Sequence, residues 1–551
     1  MSKRTLASTP AKPSHPSKAS QRNAASPRAV VWLPYLWLAL AAILYLFSSV
    51  RWVIPLAAWF APLLLLRFVR SQRPLPGVLL AWLARAIVAA IALQGIILYP
   101  APAYYPLVVI LALVTVLPFL ADRLMAPRLA GYFGGFLATL VFPVAYTTIE
   151  YLSSFGPFGT ITSLANTQYG DLPLLQLLSV TGIWGITFLI TWFASVGNWA
   201  WEHNFAWPQM RRGGALYAGI LALVLLGGSA RLTFAPPQAT TVRVAGLSAS
   251  RAAVAAFNQQ LSPAAVSRLA AGTATAADRT SAHAAFAALD AGLLTRSQQE
   301  ADAGAKIVVW PEASPTGAAV LREDESALIQ QAGALAQQSG IYLDMGLAVY
   351  LPSGGNGPFV EDQAVLLDPT GSTAWTYEKT RPAPGEQGVI VLGNGKVPLV
   401  ATPYGRLANV ICFDADFPGL VRQAGQNGAD LLLVPSDDWQ AIDPAHSQDA
   451  TFRAIENGFS LVRESSKGLS LAVDYEGHVL AASDYFTTDD QVMVAAIPMR
   501  GVHTIYAAIG DLFAWLCLLG LLAFIGLSIA TSRPRSPAYT AAPVAADQAT
   551  E

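Results

Sequence analysis

Residues 307–317 read IVVWPEASPTG. Four apolar residues, Ile307, Val308, Val309 and Trp310, stop at Pro311 and leave a carboxylate, Glu312, just beyond them. A short β-branched run cut off by proline and glycine predicts a buried strand. Two further stretches are built the same way. In 374–386, AWTYEKTRPAPGE, the strand-like run ends at Lys379, and in 408–418, ANVICFDADFP, it closes at Cys412 before a turn. In open α/β sheets the crevice beyond the carboxyl ends of the strands is where ligands bind. A carboxylate, an ammonium and a thiol, each at a strand end, can therefore meet there.

Those three types together make a reaction. A free thiol has a pKa near 8.5, so a neighbouring carboxylate such as Glu312 must take its proton. An ammonium such as Lys379 favours the thiolate and neutralises the oxyanion of a tetrahedral intermediate. The scheme is acyl transfer through a thioester on Cys412, and it requires no cofactor and no metal. Taken singly, each residue has an ordinary reading: a core cysteine, an acid at a helix N-terminus, a solvated lysine. The ordered trio is what points to chemistry. Only one other cysteine exists, Cys517, in an apolar run near the end of the chain. The region around Cys412 thus holds no internal disulfide, and the lack of Cys/His clusters at ligand spacing argues against structural zinc.

Outward from these blocks, short β-branched runs alternate with Ala-rich helical stretches. Strands are predicted at 241–247, 306–310, 342–350, 408–413, 431–434, 460–463 and 469–474, with a strand pair flanking 353–359. Helices are predicted in a region that includes 284–303, over 325–339 and from 419. This is an alternating α/β pattern. Residues 240–500 also carry 16 Lys+Arg against 28 Asp+Glu, while the rest of the chain carries 18 against 7. The near-zero net charge of −1 therefore hides an acidic block inside a basic, apolar chain. With 54% hydrophobic and only 13% charged residues overall, a single soluble domain is excluded, and the acidic block argues against nucleic acid as a partner.

The remainder reads as membrane. A span needs about 20 mostly apolar residues, and candidates lie near 32–50, 52–69, 77–98, 104–122, 131–151, 176–199, 214–230 and 508–531, about eight in all. Basic residues fall on alternate sides: the N-terminal tail, then Arg67, Arg70 and Arg73, then Arg123 and Arg128, then Arg211 and Arg212, then Arg533 and Arg535. The opposite loops hold only Arg51. The positive-inside rule then puts both termini in the cytoplasm and the acidic block outside. Residues 1–31 read as a disordered basic tail, either purely topogenic or touching anionic headgroups. Arg85, inside the third apolar run, either binds a headgroup or snorkels towards a polar neighbour.

The blocks 307–317, 377–386 (YEKTRPAPGE) and 410–418 (VICFDADFP) resemble the three signature blocks of the nitrilase, or carbon-nitrogen hydrolase, superfamily with its Glu-Lys-Cys triad. Residues 164–189, Asp438-Trp439, the run RAIENG at 453–458 and residues 504–515 further resemble the apolipoprotein N-acyltransferases. The resemblance covers about residues 32–531. It implies a polytopic α-helical membrane bundle carrying an α/β nitrilase-like αββα sandwich. The implied parts are a membrane domain of about seven helices at 32–231, an extracytoplasmic catalytic domain at 240–500, a last transmembrane helix at 508–531 and a cytoplasmic tail at 532–551.

The activity implied is transfer of an acyl chain from a phospholipid, phosphatidylethanolamine foremost, to the α-amine of a diacylglyceryl-cysteine at an apolipoprotein N-terminus. The implied setting is a multi-pass protein of the bacterial cytoplasmic (inner) membrane, acting as a monomer with its catalytic domain on the periplasmic side. By position, Glu312 is the general base, Lys379 the oxyanion partner and Cys412 the nucleophile. Glu386 matches a further family glutamate that orients Lys379 or assists proton transfer; the alternative is an exposed loop acid. Asp414 stands where the family usually has Glu, and supports either the loop, an oxyanion donor or simply the turn. Trp439 is either a substrate-binding lid, with the loop 353–359, or ordinary packing. The 379–386 loop is one residue shorter than the common form, and FDADFP is similar to soluble amidases. A membrane-tethered carbon-nitrogen hydrolase acting on small amides is accordingly the alternative.

Overall fold

The computed structural model describes residues 29–237, 239–312, 317–352 and 357–531. Both tails and most of the 353–359 loop, for which expectations were stated above, lie outside the described residues.

Strand formation follows the apolar runs. In chain order the strands are β1 (Thr241–Leu247), β2 (Ile307–Val309), β3 (Ala318–Leu321), β4 (Tyr342–Tyr350), β5 (Val360–Leu367), β6 (Thr373–Glu378) and β7 (Ile390–Val391). Then come β8 (Leu399–Thr402), β9 (Gly405–Asn409), β10 (Leu431–Ser436), β11 (Ser460–Ser465), β12 (Leu469–Val473), β13 (Val479–Asp484) and β14 (Val492–Pro498). One sheet has the path β14-β1-β2-β4-β5-β6, with β3 on β4 and β7 on β5; the other runs β13-β12-β11-β10-β9-β8. β1, β2 and β4 pair in parallel, as do β9, β10 and β11. Their carboxyl ends therefore open at common edges.

The core lies between the sheets. Ile307, Val309, Ala364 and Leu366 from one sheet share a cluster with Leu407, Leu431, Leu433, Leu461 and Leu471 from the other. On the outer face of the first sheet, Leu293 of the helix Ala276–Asp302 and Leu328 and Ala332 of the helix Glu325–Ser339 pack on Val308 and Leu343. Leu420 and Val421 of Pro418–Gln426 and Ala450 and Ala454 of Ala445–Asn457 cover the second sheet. The result is the αββα sandwich expected from the resemblance. One strand expectation fails where it matters. The run 408–413 does not stay extended: β9 stops at Asn409, and Cys412–Asp416 forms a 3-10 turn.

Each of the eight apolar stretches contains a helix, but among the described residues four are long and apolar enough to cross a membrane: Pro74–Ala92, Ala101–Phe133, Trp207–Phe234 and Leu512–Thr531. A fifth arises if Leu172–Thr181 and Ile183–Glu202 count as one span, although they meet at a 119° bend. The expected eight is not confirmed. The stretch 131–151 is interrupted by a 3-10 segment, leaving the helix Val141–Ser153, and Pro55–Ser71 is 17 residues long. At 182, glycine in the left-handed region (φ +63) turns the chain. The helices join through Trp37, Phe68, Phe119 and Phe142, while Leu83, Ile87, Leu223 and Leu519 remain exposed outside, as lipid contact requires. Arg85 does not pair with a carboxylate among the described residues. Its Nε donates to Thr115 Oγ1 at 3.2 Å and its guanidinium lies 3.8 Å from the Tyr45 ring centroid.

The sandwich sits on the bundle through directed bonds. Thr160 N donates to Asp416 O at 2.9 Å, Asn166 Nδ2 to Asp449 Oδ2 at 2.9 Å and Ile183 N to Glu456 Oε1 at 2.9 Å. Below this junction a cavity of about 420 Å³ runs among Tyr45, Arg85, Thr115, Glu150 and Asp449. Cys412, Glu312 and Lys379 do not line it.

Candidate active site

Glu312 lies three residues beyond β2. Trp310 N donates to Asp344 O of β4 at 2.8 Å and Glu312 N to Ser436 O of β10 at 3.1 Å, so the backbone on each side of Pro311 is held by a different sheet. Gly346 of β4 makes this approach possible, because a Cβ there would be 2.0 Å from Pro311 O. Lys379 follows β6 directly; its N donates to Asp362 O at 2.9 Å and its carbonyl accepts from Gly393 N at 2.9 Å. Cys412 adopts φ +46, a left-handed conformation that costs a non-glycine residue about 1–3 kcal/mol. The turn holds it there: Asp414 N donates to Ile411 O at 2.9 Å and Ile411 N to Asp414 Oδ2 at 3.1 Å.

The three side chains converge and are buried. Glu312, Lys379 and Cys412 are 3%, 0% and 2% exposed. Lys379 Nζ reaches Glu312 Oε1 at 2.5 Å, Glu386 Oε2 at 2.8 Å and Asp362 Oδ2 at 3.5 Å. The Asp437 backbone bridges the other two: its N–H donates to Glu312 Oε2 at 2.7 Å, and its carbonyl accepts from Cys412 Sγ at 3.7 Å.

The electrostatics assign protons. Burial disfavours the Lys379 ammonium, but Glu312, Glu386 and Asp362 outweigh it and hold its pKa well above the ordinary value. Burial would likewise raise Glu312, yet Lys379 prevails and Glu312 stays ionised. Asp362 is pushed well up by burial and then by Glu312. The Cys412 thiol is also pushed well up, by burial first and Glu312 second, with Lys379 and Arg463 opposing. The resting state is thus a thiol facing a carboxylate base, with a fixed cation alongside.

The remaining expected residues separate by role. Glu386 is not a free loop acid: besides Lys379, it accepts from Ala383 N at 2.7 Å. Asp414 accepts from Tyr377 Oη at 2.8 Å, Thr380 N at 3.2 Å and Arg381 N at 2.7 Å, in addition to Ile411 N. It ties the segment carrying Lys379 to the turn carrying Cys412. Trp439 packs against the core cluster that includes Cys412, its Nε1 donating to Gly95 O at 2.7 Å at the junction with the bundle. Sequence reasoning passed over Asp362, whose one signal is an acid inside the apolar strand VEDQAVLL, and over Arg463, His446 and Asp416.

Cys412, Asp438 and His446 offer ligand atoms within 4.8 Å of one another, spacing that a metal ion could use. The place is taken by a side-chain cation. Arg463 Nη2 lies 3.0 Å from Asp438 Oδ1, 2.9 Å from His446 Nδ1 and 3.8 Å from Cys412 Sγ. A metal ion there would have to displace a buried guanidinium.

Comparison with known proteins agrees with this architecture. Residues 252–506 match the carbon-nitrogen hydrolase family, and residues 41–196 match the apolipoprotein N-acyltransferase N-terminal domain. An apolipoprotein N-acyltransferase of Geobacter metallireducens is 24% identical over 414 residues, covering 70% of this chain and 73% of the relative. One of Rhodopseudomonas palustris is 25% identical, covering 62% and 64%. Among solved structures, an amidase from Nesterenkonia sp. aligns with 51% of this chain and 97% of its own at 20% identity and a TM-score of 0.37. The two family matches follow one another along the chain as the helical bundle and the double-sheet sandwich do: an apolipoprotein N-acyltransferase N-terminal domain, then a carbon-nitrogen hydrolase domain.

Proposed function

We propose that the protein moves an acyl chain from a phospholipid to the α-amine of a diacylglyceryl-cysteine at a lipoprotein N-terminus, through a thioester on Cys412. Glu312 takes the thiol proton as sulfur attacks the ester carbonyl carbon, and Lys379 steadies the oxyanion. The carbon–oxygen bond then breaks, the lysophospholipid oxygen leaving with the proton from Glu312. In the second half the acceptor amine attacks the thioester, Glu312 takes the amine proton, and the sulfur leaves and regains a proton. The single observation that carries this reading is the buried Lys379 ammonium held 2.5 Å from Glu312, with both groups acting on the Cys412 thiol.

The bilayer belongs in the reaction. Drawing an acyl chain into water costs about 0.8 kcal/mol per CH₂, and a sandwich bonded directly to apolar helices keeps the crevice at the lipid surface. Phosphatidylethanolamine is the proposed donor, and the alternation of basic loops supports a sandwich on the periplasmic side with cytoplasmic termini. The match of 41–196 to the acyltransferase bundle favours lipid substrates over small amides.

Purified protein in detergent, given phosphatidylethanolamine and a synthetic diacylated lipopeptide, is expected to yield triacylated peptide. Donor alone should leave one acyl adduct on Cys412 by intact-mass spectrometry, and Cys412→Ala should give neither product. Ammonia release from simple amides by a folded enzyme that forms no acyl adduct would overturn the reading.

A further inference from the structure

Arg463 has no part in the Glu312–Lys379–Cys412 scheme, yet it is fully buried on β11 with its guanidinium against the nucleophile. Nη1 donates to Cys412 O at 3.4 Å and Nη2 to Cys412 Sγ at 3.8 Å. A charged arginine in so dry a place must be compensated. Behind it stands a chain of groups, all 3% exposed or less: Asp438, His446 and Asp416. Arg463 Nη2 and His446 Nδ1 converge on Asp438 Oδ1 at 3.0 and 2.6 Å, and His446 Nε2 meets Asp416 Oδ2 at 2.6 Å. Ser447 Oγ accepts from Arg463 Nε at 3.0 Å, and Ser465 Oγ donates to Asp438 Oδ2 at 3.1 Å.

We propose that Arg463 is a second catalytic cation, beside Lys379, holding the Cys412 sulfur anion, with Asp438 and His446 as its positioning residues. This rests on Cys412 being the nucleophile. The titratable groups facing the sulfur or its cation are Glu312 at the end of β2, Lys379 after β6, Asp438 after β10, Arg463 on β11, His446 on Ala445–Asn457 and Asp416 in the 3-10 turn. Lys379 is already bonded to two carboxylates, Glu312 and Glu386. Arg463 answers mainly to one carboxylate, Asp438.

The role belongs to the moments when sulfur is anionic. One is the transfer of the thiol proton to Glu312 before attack. The other is expulsion of sulfur by the acceptor amine, when the carbon–sulfur bond breaks and its electron pair returns to sulfur. The cation exchanges no proton in either. The backbone contact serves the same end, because the Cys412 carbonyl is fixed while its residue sits in the left-handed region.

The test reads sulfur without lipid. In a Cys517→Ala background, full-length protein is alkylated with iodoacetamide across pH 5–10 and followed by intact mass, with Cys412→Ala as blank. Arg463→Gln is expected to slow alkylation about tenfold across that range, the change that about one unit in the thiol pKa produces. Arg463→Lys should fall between it and wild type. The double variant Arg463→Gln/Asp438→Asn removes the cation and its carboxylate together, so no uncompensated charge stays buried, and it should be as slow as Arg463→Gln. Wild-type rates across that range in both glutamine variants overturn the proposal. If neither folds, Arg463→Lys decides: slower than wild type supports it, equal overturns it. A parallel lipopeptide assay separates the two claims. An enzyme that alkylates but never acylates loses the proposed function alone, and one that acylates with Arg463→Gln alkylating normally loses this inference alone.

Discussion

At the scale of single residues, the site is a set of opposed charges whose protonation follows from burial. His446 shows this most simply. Burial and Arg463 lower its pKa, but Asp416 and Asp438 outweigh them and bring it to about 9, against 6.5 for a free imidazole. A group whose folded pKa is raised contributes stability that is fully present below its unfolded pKa and lost as pH rises through the folded one. The window here is pH 6.5 to 9, and the contribution is at most about 3 kcal/mol. The thermal midpoint of the wild type, followed by intrinsic fluorescence in detergent, is expected to fall as pH rises from 7 to 9.5. His446→Gln should start lower at pH 7 and fall less over that range; parallel curves for the two proteins would refute the assignment. Glu312, Lys379 and Cys412 were legible in the sequence because each ends a run. Arg463 and His446 were not, since their meaning lies in groups 8 to 51 residues distant.

At the scale of elements, the sheets act through close backbone approach. β4 passes so near Pro311 that a Cβ at 346 would also come within 2.9 Å of the Glu312 Cα. Gly346→Ala is therefore expected to push Glu312 off its line to Lys379 and lower kcat about a hundredfold, as misplacement by about 1 Å does. The substitution leaves every charged group present. Lipopeptide acylation measured beside far-ultraviolet circular dichroism checks this, and a folded variant with wild-type kcat would show that β4 does not set the carboxylate. Periodicity predicted the helix over 325–339 and the strand over 342–350 with the bounds observed. It failed at 408–413, because β-branched propensity is local whereas the turn at Cys412 is imposed by Asp414 reaching across to Tyr377, Thr380 and Arg381.

At the scale of the whole molecule, the bundle and sandwich are joined by bonds from Thr160, Asn166, Ile183 and Trp439. The basic loops predict which side each part occupies. A green fluorescent protein fused after the last helix is expected to fluoresce, and alkaline phosphatase in the same position to stay inactive. Active phosphatase there would reverse the orientation.

What the sequence determined by itself was composition-driven: two solvents, an acidic α/β part carried by apolar helices, and three reactive side chains at strand ends. These follow from local rules of hydrophobic period and of where strands stop. Tertiary structure alone decided how Cys412 is held, that Asp414 couples its turn to the segment of Lys379, that Trp439 serves the junction, and that Arg463 rests on the sulfur. It also decided which apolar stretches stay unbroken, through Gly182 and the 3-10 segment before Val141. The physical reason is common to all of these: burial converts charges that water would screen into partners that must be matched, and which partners meet depends on how the two sheets and the bundle pack.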